Sequence, residues 1–158
     1  MEVEMRGVRM IASLALFSAL LAPRLAAQAS SVDPCSLLTV AEVNAVVGMK
    51  SLPGRPYLGS KIICLFSPDT SAFSDQPVVN LMVQQVYMFQ GQKNMGPHPV
   101  SGLGDEAYWT GGGNYAKLEV RKGNRAFSVT VSMGKTAKTA QQLEQMEEAL
   151  AKKVLARL

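Results

Sequence analysis

The alternation of hydrophobic and polar residues is clearest in two neighbouring segments, residues 115–121 (YAKLEVR) and 125–133 (RAFSVTVSM). Every second residue in each segment is hydrophobic, which predicts two strands of an antiparallel sheet with one buried face. Gly123 in the short connection between them favours a tight hairpin turn. The positions expected to face the core are Ala116, Leu118, Val120, Phe127, Val129, Val131 and Met133.

The polar positions of the same two strands are expected to face water. They are Lys117, Glu119, Arg121, Ser128, Thr130 and Ser132. Further strands are predicted at residues 61–67, 78–89 and 106–110, where β-branched and aromatic residues are frequent. Within residues 78–89 the alternation changes phase at Gln84 and Gln85, which predicts a β-bulge in one continuous strand. Residues 50–60 and 90–104 are rich in turn-forming residues and lack periodicity, so we expect loops there.

Two helices are predicted, one on each side of these strands in the sequence. Thr39 and Glu42 have the spacing of a capping box and Gly48 suits a helix end, so the first helix is expected at residues 40–47. The second lies near the C-terminus, where an apolar stripe comprises Leu143, Met146, Leu150, Val154 and Leu158. Its polar face carries both signs of charge, which favours packing on the sheet over binding to a membrane surface. The sequence thus predicts an α+β domain with an antiparallel sheet of four to five strands and a helix at each end.

The first 29 residues have the pattern of a secretory signal peptide. Arg6 and Arg9 precede an apolar run at residues 10–22, which is too short to span a bilayer, although an uncleaved anchor is an alternative. Small residues at Ala27 and Ala29 predict cleavage before Ser30, with cleavage after Ala27 as the nearest alternative. Residues 30–158 are then expected to form one domain without a stable membrane span. Met5 would begin a more ordinary leader than Met1 does. We therefore expect a secreted or periplasmic protein.

The charge of the predicted mature chain is mild. Without residues 1–29 the chain has 13 basic and 10 acidic residues, which are distributed along the sequence. No arginine-rich run with interspersed aromatic residues is present, so the charge pattern of a nucleic-acid-binding protein is missing.

The sequence contains two cysteines, Cys35 and Cys64, both in the part expected to be exported. Because exported proteins meet an oxidising environment, we expect a disulfide bond between them. Closure of this loop would stabilise the fold by about 3.5 kcal/mol. A metal site would need more ligands than two thiols and one histidine, and a free catalytic thiol would be prone to oxidation. We therefore expect neither a metal nor a cofactor.

The sequence contains the motifs DPCSLLTVAEVNAVVG, a later ICLFS, and VSGLGDEAYW followed by KLEVRKGN. Together they resemble a family of secreted bacterial domains of unknown function, many of which are lipoproteins. The resemblance implies an antiparallel sheet with a helix at each end of the chain and a bridge between Cys35 and Cys64. It also implies similarity to small envelope sensor or ligand-binding domains. This chain lacks the lipid-accepting cysteine of the lipoproteins.

Candidate catalytic residues lie close together in sequence at His98, Ser101, Asp105 and Glu106. The surroundings of Ser101 lack the G-x-S-x-G turn of many hydrolases. Asp105 and Glu106 are adjacent, and neighbouring residues of a strand point to opposite faces, so they are badly placed to act together on one substrate. A small secreted hydrolase is therefore an alternative and not the leading expectation.

Aromatic residues give the remaining functional signal. Tyr57, Tyr108, Trp109 and Tyr115 lie in or beside predicted loops, where such residues often line binding clefts, although core packing also explains one of Tyr108 and Trp109. We expect an exported, non-catalytic module that binds a small molecule or an envelope protein through these residues. A further alternative is an envelope structural protein whose exposed sheet edge pairs with another chain.

Overall fold

One antiparallel sheet organises the part of the chain that the computed structural model describes, residues 32–70, 77–94, 98–112, 115–135 and 138–158. Within these residues its strands are β1 (Arg55–Pro56), β2 (Ile63–Phe66), β3 (Val78–Gln84), β4 (His98–Val100), β5 (Glu106–Gly112), β6 (Tyr115–Lys122) and β7 (Arg125–Ser132). Their order across the sheet is β1-β2-β3-β7-β6-β5-β4. The α+β class is confirmed, but these seven strands exceed the four to five that were predicted.

The two outermost strands account for the difference. β1 and β4 lie in segments that were predicted to be loops, and they contain two and three residues. Each includes a proline, Pro56 or Pro99, and is too short to show alternation. Proline has no N–H group to contribute to the hydrogen-bond ladder, so it is found at sheet edges, where one side of the strand needs no partner.

The segment at residues 78–89 changes from strand to helix, so the prediction of one bulged strand is wrong. β3 ends at Gln84, and the helix α2 (Val86–Lys93) begins after Gln85. The change of phase at these glutamines marks the end of a strand. Residues with high strand propensity open α2, but the helix places Phe89 in a fully buried position against Tyr108. Tertiary packing therefore overrides the local preference.

The two predicted helices are confirmed as α1 (Val40–Val47) and α3 (Ala140–Leu155). Thr39 and Glu42 form the expected reciprocal capping box of α1, and Gly48 ends the helix with a φ of 73°. α3 packs across β6 and β7 and also contacts α1. Arg157, just beyond α3, pairs with Glu42 at 2.9 Å and so connects the last helix to the first.

The main core lies between these two helices and one face of the sheet. The inward positions predicted for the β6–β7 hairpin are all buried in this core. From the neighbouring strands it also includes Cys64, Phe66, Val79, Leu81 and Trp109.

The opposite face of the sheet is also partly covered. Phe89 of α2 forms a second buried cluster there with Tyr108 and Ala126. Glu119 and Ser128, which were expected to face water, have exposed fractions of 0% and 2%. The prediction of a solvated outer face is wrong at these positions, because α2 adds a second layer that its sequence did not indicate.

The expected disulfide is confirmed. Cys35 and Cys64 are joined with an S–S distance of 2.06 Å, which connects the segment before α1 to β2. The predicted leader, its cleavage site and both start residues lie outside the described residues. In the described part of the chain, none of the helices has the length and apolar character needed to cross a membrane.

Candidate ligand-binding site

A half-open cavity of about 350 Å³ lies where the disulfide joins the N-terminal segment to the sheet. Its apolar lining includes Val32, Pro34, Cys35, Pro56 and Ile63. Its polar lining includes Asp33, Ser60 and Lys61. An apolar concavity of this size with a few polar groups is typical of small-molecule sites.

One wall of the cavity is a short 3₁₀ helix, Pro34–Ser36, and the residues just before it. The Asp33 carboxylate caps this helix, because its Oδ1 accepts a hydrogen bond of 2.9 Å from the Cys35 N–H group. The disulfide then attaches the helix to β2. Local capping and a covalent bond together hold this wall in place.

The other wall combines Pro56 of β1 with the end of a second 3₁₀ helix, Tyr57–Gly59, and the turn that follows it. Leu58 and Gly59 have φ values of 47° and 75°, which turn the chain back from β1 towards β2. The Ser60 N–H group donates to the Tyr57 carbonyl oxygen at 2.8 Å and closes the turn.

Gly54 allows the chain just before β1 to pack closely against β2 beside the disulfide. A Cβ atom at this position would lie 2.6 Å from the Phe66 ring and 2.8 Å from the Cys64 sulfur. Both contacts are too close for any side chain, so the approach of this segment to β2 requires glycine. Of the glycines and prolines that made this segment resemble a plain loop, Pro56 and Gly59 line the cavity.

The structure does not bring the four predicted aromatic residues together. Tyr57 lies in the second 3₁₀ helix, next to the cavity-lining Pro56, whereas Tyr108 and Trp109 lie on β5, with four strands between β5 and β1. Strands are spaced about 4.8 Å apart, so this separation is too large for one small ligand. Tyr115 begins β6, and its side chain lies outside the described part of the structure.

Tyr108 and Trp109 also face opposite sides of the sheet. The Tyr108 hydroxyl donates to the Phe89 carbonyl oxygen, and the ring centroids of these residues are 4.7 Å apart. Burial raises the pKa of Tyr108, with further contributions from the Glu119 and Glu106 charges. Trp109 belongs to the main core and is only 9% exposed. Both side chains therefore have packing roles.

The carboxylates considered for catalysis are held by structural contacts. Asp105 accepts a hydrogen bond of 2.6 Å from the Gly123 N–H group, which fixes the β6–β7 turn. Glu106 pairs with Lys93 of α2 and also contacts Arg121. The hydrogen bond from Lys93 is the main cause of the lowered pKa of Glu106. A carboxylate that is held in its ionised form is poorly suited to act as a general acid.

His98 and Ser101, the other two catalytic candidates, lie on and just after the outermost strand at one side of the sheet. His98 lies on the edge strand β4 opposite Trp109, and Ser101 follows the same strand. Both residues are exposed, and no hydrogen bond joins their side chains in the described structure. Across the described ranges, no group of three or more metal-ligating side chains is close enough to hold an ion.

Two buried carboxylates were not predicted from the sequence. Glu119 on β6 is fully buried, pairs with Lys117 at 2.6 Å and accepts a hydrogen bond from Gln84. In sequence it was one of several alternating polar residues. Its burial depends on the layer that α2 adds, so the alternation of hydrophobic and polar residues alone did not indicate that Glu119 is buried.

The second is Glu147, which lies on the face of α3 that packs against the sheet and has an exposed fraction of 0%. Its Oε1 accepts a hydrogen bond of 2.7 Å from the Val131 N–H group, and burial raises its pKa to about 9. Here the sequence did contain a signal. Glu147 lies four residues after Leu143 and three before Leu150, so it falls within the apolar stripe.

Comparison with known proteins adds no further assignment: no family model, curated protein or solved structure matches this chain.

Proposed function

We propose that this protein is an exported, non-catalytic binding module that holds a small molecule in the cavity beside the disulfide. The observation that carries the proposal is the cavity of about 350 Å³, which combines apolar walls with charged and hydroxyl groups. The disulfide keeps one wall in place, which reduces the entropic cost of ordering the site when a ligand binds.

Export is supported by the leader pattern in the sequence and by the disulfide, which is typical of oxidising compartments. The resemblance to secreted bacterial domains agrees with it. A mature N-terminus at Ser30 and the absence of free thiols in the native, unreduced protein would support this part of the proposal. Retention of the leader would contradict it.

The two alternatives have less support. A hydrolase would need free acid–base groups, whereas Asp105 and Glu106 are engaged in turn and ion-pair contacts. Turnover that disappears in the His98→Ala variant would favour that alternative. A structural protein that pairs through a sheet edge would need a longer edge than β1 or β4 provides.

The binding proposal is testable with benzyl alcohol, a small neutral probe with an apolar ring. We expect amide chemical-shift changes in NMR spectra at Val32, Ser60 and Ile63, and none at Gly123 in the distant hairpin. The Ser60→Phe substitution should block these changes, because Ser60 lines the cavity and its extended backbone accepts any side chain.

The matched control is Ser101→Phe, which places the same side chain at an exposed position after β4. This variant should keep the probe response. Equal loss of the response in both variants, or no response in the unmodified protein, would contradict a binding role for the cavity.

A further inference from the structure

The cavity carries two opposite charges on separate segments of the chain. Asp33 lies before the first 3₁₀ helix, and Lys61 lies between the second 3₁₀ helix and β2. Among the described residues, neither side chain forms an ion pair within 4 Å. Both charges line the cavity, so they are available to a ligand.

Each group retains free hydrogen-bonding capacity. Asp33 uses Oδ1 to cap the 3₁₀ helix, which leaves Oδ2 as an acceptor. The Lys61 ammonium group supplies three N–H donors. The Ser60 hydroxyl, which accepts a hydrogen bond from the Ile62 N–H group at 3.3 Å, still has its own proton to donate.

Apart from the Ser60 hydroxyl, the rest of the cavity lining is apolar. Pro34, Pro56, Ile63 and the disulfide offer no charged group to a ligand. An anion would be attracted by Lys61 and repelled by Asp33. A cation would be attracted by Asp33 and repelled by Lys61. A molecule with one charge of each sign on an aliphatic body would complement both groups and the apolar surface.

We propose, as an extension of the binding function above, that the ligand is a small aliphatic zwitterion with an ammonium group at Asp33 and a carboxylate at Lys61. The residues that set this preference are Asp33 and Lys61. Ser60 adds a hydrogen bond to the carboxylate, and the disulfide contacts the aliphatic body.

The test compares matched probes at pH 6.5 by isothermal titration calorimetry and NMR. L-Leucine and 5-aminopentanoate are the zwitterions, leucinamide and pentylamine lack the carboxylate, and 4-methylpentanoate and pentanoate lack the ammonium group. We expect at least one zwitterion to bind roughly two- to fivefold more tightly than its singly charged analogues, the range typical of a partly exposed ion pair.

Two variants test which residue binds which charged group of the ligand. Asp33→Asn keeps an oxygen acceptor for the helix cap but removes the charge, so the zwitterion should lose its advantage over the matching acid. Lys61→Met should remove its advantage over the matching amine. Lys122→Met, in the distant hairpin, is the control and should leave both preferences unchanged.

Equal binding of zwitterions and singly charged analogues would overturn this inference, and so would no binding of any charged probe. In either case a retained response to benzyl alcohol would leave the binding function standing. Loss of the benzyl alcohol response would contradict the binding function itself.

Discussion

Glu147 occupies a position where the hydrogen-bond ladder between two strands has ended. The last residue pair of β6 and β7 at this end is Lys117 with Thr130, so the next residue, Val131, has no partner on β6. The Glu147 side chain supplies the missing acceptor for the Val131 N–H group. Its other oxygen is buried and has no hydrogen-bond partner in the described structure. A neutral carboxyl group fits this position better than a charged one does.

This arrangement predicts that the free energy of unfolding falls as the pH rises, because Glu147 resists ionisation in the folded protein. In the folded protein its pKa is raised to about 9, mainly by burial, whereas in the unfolded chain it is near 4.5. The stabilising contribution is therefore complete below pH 4.5 and is lost as the pH rises towards 9. By pH 7 the loss is about 3 kcal/mol.

Glu147→Gln should remove this dependence, because the amide oxygen accepts the same hydrogen bond without ionising. We expect its free energy of unfolding to rise, relative to the unmodified protein, by about 3 kcal/mol between pH 4 and pH 7. Urea denaturation at several pH values measures this difference. Glu148→Gln, at a partly exposed neighbouring position, should show no such trend. Parallel pH profiles for Glu147→Gln and the unmodified protein would contradict the prediction.

At the scale of elements, the sequence predicted the helices and strands that are long enough to show a repeated pattern of hydrophobic and polar residues. The β6–β7 hairpin and both terminal helices follow directly from periodicity and capping residues. α2 was missed because its first four residues, VYMF, have high strand propensity and its capping residue Gln85 makes no side-chain cap. β1 and β4 were missed because alternation is not visible in two or three residues.

The packing of α2 depends on one side chain, which is testable by comparing two aromatic residues of the same helix. Phe89 is fully buried against Tyr108, whereas Tyr87 is 75% exposed. Phe89→Ala should lower the free energy of unfolding by about 3 to 5 kcal/mol, because it leaves a cavity in the second cluster. Tyr87→Ala should change it by about 0.5 kcal/mol or less. Similar losses in the two variants would contradict the proposed anchoring role.

At the scale of the whole molecule, the disulfide is part of both the fold and the candidate site. It attaches the segment before α1 to β2, and Cys35 also lines the cavity. The sequence predicted the bond from two cysteines in a chain that is expected to be exported. It did not predict the cavity, because the lining residues come from two segments that have no periodicity and meet only after folding.

Removal of the disulfide should affect both stability and binding. Replacing Cys35 and Cys64 together with alanine should lower the free energy of unfolding by about 3.5 kcal/mol, as expected for a closed loop of this length. Urea denaturation measures the loss, and the benzyl alcohol response at Val32 should weaken in the same variant. A variant that unfolds at an unchanged urea concentration would show that the bond does not stabilise the fold.

The short edge strands have a consequence for self-association. Cross-β fibrils grow when an exposed edge serves as a template for further chains. The edges formed by β1 and β4 offer only a few backbone groups, and Pro56 and Pro99 contribute no N–H donor. The outer strands themselves are therefore poor templates, and detachment of either one would expose the longer edge of β2 or β5.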